Sequence, residues 1–93
     1  MAKKQSSRLK EGAAVRVRDG VQMPEYPDVE ISGWTGTVVE TRGRGADLKC
    51  FVEWDTATLQ IIPASYREHC ERQGLYHGMV CLAGSDVSSL DAV

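Results

Sequence analysis

Long hydrophobic runs are missing from this 93-residue chain. Its apolar stretches last only a few residues, so neither a membrane span nor the apolar centre of a signal peptide is present, and a cytoplasmic location is expected. Cysteine is scarce and odd in number: the 3 cysteines, Cys50, Cys70 and Cys81, include no C-x-x-C pair. A disulfide framework is therefore not expected, and reduced thiols are. An excess of positive charge is also absent, with 11 Lys and Arg against 13 Asp and Glu. The whole domain lacks the basic footprint of a nucleic-acid binder, so any such surface must be local. Phosphate-cradling, dinucleotide-binding and metalloprotease signatures are missing too: there is no G-x-x-x-x-G-K-[ST], no G-x-G-x-x-G before a helix and no H-E-x-x-H. No cofactor, no metal and no enzymatic activity are expected.

What the chain does hold is short-period alternation punctuated by glycine. Residues 1–11 are polar and basic without periodicity and read as a flexible leader. In "AAVRVRD" the valines Val15 and Val17 alternate with Arg16 and Arg18, the pattern of a half-buried strand. "GVQMPEYPDVEIS" follows, a long acidic loop whose Pro24 and Pro27 cannot supply ladder donors. "GWTGTVVETR" and "LKCFVEWD" read as a hairpin around "GRGAD", where Gly43 and Gly45 permit positive φ. Leu48, Cys50, Val52 and Trp54 share its core face, which leaves Phe51 as an aromatic on the outer face. "TATLQII" reads as a third strand, with Leu59 and Ile61 inward. Ser65 and Glu68 then have the spacing of a capping box, and Gly74 is placed to end a short helix with Cys70 packing on Leu75. "HGMVCLA" is the last strand, with Met79 and Cys81 inward, and residues 84–93 form a weakly specified tail.

The expected fold is mainly β: a small barrel of about five strands, spanning residues 12–83, with one short helix before the last strand. "AAVRVRDG", the proline-bearing loop, "GWTGTVVE" and "FVEWD" together resemble an SH3-like barrel. The pattern is similar to KOW-type barrels, to photosystem I PsaE and to the variable chain of ferredoxin–thioredoxin reductase. The last shares the V-x-V strand, a loop with Pro24, Glu25 and Asp28, and the G-x-x-G-x-V strand from Gly33 to Val38. The resemblance implies a binding or scaffold role, since fold alone carries no chemistry.

His69, Cys70, His77 and Cys81 raise the question of zinc, but their spacing is wrong. Adjacent His69 and Cys70 point about 100° apart on a helix, and no pair has the separation of a zinc knuckle. Buried structural thiols are the simpler expectation. A cysteine nucleophile would need an activating base that the sequence does not place beside it. The aromatics are more informative, because the chain has just one Phe, 3 Tyr and 2 Trp. Tyr26, Trp34 and Phe51, with Glu25 and Asp28 of the acidic loop, are the expected contact surface for a partner protein. The alternative is a KOW-like nucleic-acid surface built from Arg16, Arg18, Arg42, Arg44 and Lys49. A second alternative is an accessory role to a redox enzyme through Cys and His. An open barrel edge near Val80 would further let a second copy of the chain pair with it.

Overall fold

The computed structural model describes residues 9–24 and 26–90. The expected alternation produces β1 (Ala14–Val17), in which Val15 and Val17 are completely buried. The two halves of the predicted hairpin become β4 (Thr35–Arg42) and β5 (Lys49–Trp54), joined through Gly43, Gly45 and a short 3-10 turn. Both glycines have positive φ, 76° and 62°. Cys50, Val52 and Trp54 of β5 face the core as the alternation requires. The last two strands are β6 (Met79–Ala83) and β7 (Val87–Ser89), linked by a second 3-10 turn over Gly84–Asp86.

These five strands form one antiparallel sheet in the order β6-β5-β4-β1-β7. The expected barrel is not closed: β6 and β7 are opposite edges, and among the described residues no ladder joins them. The sheet nevertheless cannot be flat. Four strand spacings would separate its edges by about 19 Å, whereas a 3-10 connection of this length advances about 8 Å. The sheet must roll until its edges approach. Two features of β4 permit the bend. Val39 is an extra residue between the Val38↔Val52 and Glu40↔Phe51 pairs, a bulge that tightens the local twist. At Gly36 the β5 backbone comes so close that a Cβ would meet the Glu53 carbonyl and, at 2.8 Å, a methyl of Val52.

Four further expectations are corrected. "TATLQII" is not a strand but helix α1 (Thr56–Ile61). A strand would have buried Leu59 and Ile61; the helix instead buries Thr58, Ile62 is buried at its C-cap, and Ile61 is left 60% exposed. Residues 22–30 are not an unpaired loop but a small hairpin, β2 (Gln22–Met23) with β3 (Tyr26–Glu30). Its register pairs Met23 with Tyr26 and Gln22 with Glu30, which skips Pro27 and so needs no donor from it. Helix α2 (Ala64–Gln73) starts at Pro63, without a side-chain cap, so Ser65 and Glu68 form no capping box. The segment 84–93 is not all tail, because β7 pairs with β1 and Val87 is buried. The leader lies mostly outside the described residues, although Leu9 already packs against the core.

The end of α2 forms as the sequence indicates. Gly74 adopts φ 72° and ψ 23°, Leu75 N–H donates to the Cys70 carbonyl at 2.8 Å, and Gly74 N–H donates to that of Glu71 at 3.2 Å. This is the paired bonding of a Schellman ending. Cys70 is buried beneath it.

Candidate functional site

A recess borders the free edge of β6. It is a groove of about 310 Å³. Pro24 and Met23 form one wall from the tip of the β2–β3 hairpin, Tyr66 and Cys70 of α2 form another, and Phe51, Met79 and Cys81 form the sheet side. Leu75 and Tyr76 stand on its rim. Large apolar side chains are left in water here: Leu75 is 49% exposed, Tyr76 57% and Met79 38%.

The ladder geometry explains why β6 turns Met79 and Cys81 outward, against expectation. Trp54 N–H donates to the Gly78 carbonyl at 2.8 Å, so 54 and 78 are a hydrogen-bonded pair. Counting along the register, Val80 and Leu82 bond to Val52 and Cys50 and face inward. Met79, Cys81 and Ala83 direct their backbone polar groups away from β5. The Met79 N–H is taken up by the Tyr76 carbonyl at 3.4 Å, as that orientation requires. Gly78 fixes the rim as well. A Cβ there would lie 2.5 Å from Cζ and Oη of Tyr76, so the phenol ring rests directly on the glycine.

The expected contact residues divide. Phe51 lines the groove, with the Arg42 guanidinium 5.5 Å from its ring centroid. Arg42 is in turn bonded to Glu40 at 2.8 Å, and that carboxylate holds the guanidinium above its ordinary pKa. Tyr26 does not line the groove but supports its wall, with its ring 5.6 Å from Tyr66 and 4.8 Å from His69. Asp28 is exposed on β3. Glu30 accepts from the Ser32 hydroxyl at 2.7 Å, and that hydroxyl accepts from Gly20 N–H at 2.7 Å, which ties the base of the acidic hairpin. Trp34 is only 7% exposed and meets Trp54 edge to face at 5.2 Å, so it belongs to the core. Glu25 lies outside the described residues. Leu75, Tyr76 and Met79 were not among the contact residues expected from the sequence. The signal for the first two was two consecutive bulky residues after Gly74, where a Schellman ending employs only one.

The basic set does not converge. Arg42 and Lys49 are paired across β4 and β5, and exposed Arg44 begins the turn between them. Arg16 pairs with Thr35 at the other end of β4, seven residues from Arg42 or about 23 Å along a strand. Arg18 follows Arg16 beyond β1, where its N–H donates to the Asp86 carbonyl at 2.9 Å. Arg16 also faces Asp19, though at 3.9 Å and in solvent.

The thiols are separated by environment. Cys50 is buried, and burial first, with the neighbouring Cys81 second, pushes its thiol above the ordinary value. Cys81 is exposed. Among the described residues no group of three His, Cys, Asp or Glu is placed to hold a metal, and no helix is long and apolar enough to cross a membrane.

A second cluster, at the C-terminal end of β5 on its β4 side, is closed. Asp55 caps α1 by accepting from Thr58 N–H at 2.8 Å and also accepts from the Thr35 hydroxyl. The Thr58 hydroxyl is buried, receives Thr35 N–H at 3.1 Å and donates to the Thr35 carbonyl at 3.0 Å. The Thr35 bond first, then the Thr58 backbone bond, holds the Asp55 carboxyl below its usual range. Every group in this cluster is engaged in holding α1 to β4. Comparison with family models, with curated proteins and with solved structures finds no match for the chain.

Proposed function

We propose that this domain is a non-enzymatic protein-interaction module of SH3-like architecture, and that it contacts its partner through the groove beside β6. The observation that carries this reading is the set of exposed apolar side chains gathered around one recess: Leu75, Tyr76 and Met79 on the rim with Phe51 on the floor. Scattered exposed apolar residues are ordinary on a protein surface, but a contiguous recess of them marks a contact site. Its polar-poor lining suits packing rather than chemistry. The SH3-like reading is supported by the strand order, with β1 between β4 and β7, and by the 3-10 turn that returns the chain from β6 to β7. The acidic hairpin contributes through Met23 and Pro24, with Tyr26 behind them.

Affinity purification of the full chain from its native cell tests the proposal, run beside Phe51→Ala and Tyr76→Ala. Partners retained by the native chain and lost from both variants are the expected result. Recovery of the same proteins by all three would remove the groove as the contact surface.

A further inference from the structure

Building on that reading, we infer that the partner enters as an extended peptide strand, which adds to the free edge of β6 antiparallel to it and carries acidic residues before an apolar centre and basic residues after it.

The hydrogen-bonding demand comes from the backbone. On β6, Cys81 turns both its N–H and its C=O away from β5, Met79 its C=O and Ala83 its N–H. Among the described residues nothing pairs with them. A sheet edge is a template for another extended chain, and strand addition is a common mode of peptide recognition. The residue opposite Cys81 would exchange two hydrogen bonds with it. Its neighbours in the partner strand would face the inner side, where Val80, Met23 and Tyr66 supply apolar contact. The groove is walled by α2 and by the β2–β3 tip, which admits one extended chain and disfavours a whole second sheet.

A polyproline segment fits this edge poorly, because the residue opposite Cys81 must donate an N–H. Charge sets the order of residues in an antiparallel partner. On the outer face of β5, Lys49 lies beside Ala83 and Glu53 beside Met79, so the sheet face next to β6 carries a basic residue at one end and an acidic one at the other. An antiparallel strand passes Ala83 first and Met79 last, hence acidic residues first and basic residues last.

The test uses the full chain and a nine-residue peptide: two glutamates, Thr-Val-Leu-Val-Thr, then two lysines. Titration by NMR should move the Cys81 and Ala83 amide resonances and slow their exchange. N-methylation of the central leucine removes its donor and should weaken binding by about tenfold or more. A peptide with lysines first and glutamates last should bind more weakly by a few-fold, with the difference fading in salt. Cys81→Pro removes the outward N–H while leaving the β5 ladder intact. It should abolish binding, whereas Cys81→Ser, its folding control, should not.

The strand-addition model fails if the N-methylated peptide or Cys81→Pro binds as well as the parent. If Tyr76→Ala still loses binding in that case, the groove remains a contact surface of another kind. Absence of binding by any of these peptides at about 1 mM, a very weak affinity, overturns the stated partner chemistry. A concentration-dependent dimer that Cys81→Pro abolishes would make a second copy the occupant instead.

Discussion

The two flanks of the C-terminal end of β5, one towards β4 and one towards β6, present opposite solutions to the same problem, that of leaving the sheet for the helical insertion and returning to it. At the departure, Thr35, Gly36, Asp55 and Thr58 close on one another, with Thr58 buried and each polar group bonded. At the return, Leu75, Tyr76 and Met79 remain in water around a groove. The first corner spends its polar groups on internal bonds, which stabilises the join. The second leaves apolar surface uncovered, an arrangement that contributes little to folding and suits contact with another molecule.

Substitutions can sharpen that contrast. The largest effect is expected at the closed corner from Gly36→Ala, whose Cβ meets backbone that cannot move aside. A loss of about 3 kcal/mol, at the upper end for overpacking, should appear in urea denaturation. Asp55→Ala comes next, removing the α1 cap and the bond from Thr35, with a loss of about 1.5 kcal/mol by the same measurement. A stability equal to that of the native chain would show that the corner is not held by its polar groups.

Asp55 also predicts a pH signature. Its folded carboxyl titrates below the unfolded one, near 3.9, so its ionised form stabilises the fold fully above that value. The contribution is lost as pH falls through the lower folded value. Asn keeps capping ability without charge, so Asp55→Asn should differ from the native chain at neutral pH by a few tenths of a kcal/mol, the effect being screened by solvent. The gap should close in melts taken towards pH 2.5, a value below the usual carboxylate range. A gap that widens on acidification would reverse the assignment.

At the open corner the effects shrink. Gly74→Ala places a side chain at positive φ and should cost about 1 kcal/mol. Leu75→Ala should alter stability by less than about 0.5 kcal/mol, the range of exposed positions, because the side chain is half in water. Any larger loss at Leu75 would mean that the rim serves the fold more than a partner.

The same contrast explains what could be read from the residues alone. The α2 ending was legible, because Gly74, Cys70 and Leu75 specify it within a few positions. The start of α1 was not. Its period-2 pattern favours a strand, and the decisive partner, Thr35, lies twenty residues from Asp55. β-branched residues lose only tenths of a kcal/mol in a helix, so tertiary bonds can overrule the local pattern. Ser65 and Glu68 had the right spacing for a cap, but Pro63 already occupied the position that starts the helix. Phe51 was correctly placed on the outer face. The orientation of Met79 and Cys81 was inverted because the register depends on the Trp54 to Gly78 bond, which alternation cannot reveal.

The β1–β7 pairing carries one more consequence, for the order of events during synthesis. Val15 pairs with Ser89, so the first strand acquires one of its two neighbours only after residue 89 has been made. A contact of that sequence separation is slow to form, because the intervening segment must be organised first. On a ribosome, β1 therefore waits beside β4 with one edge bare until β7 emerges to cover it.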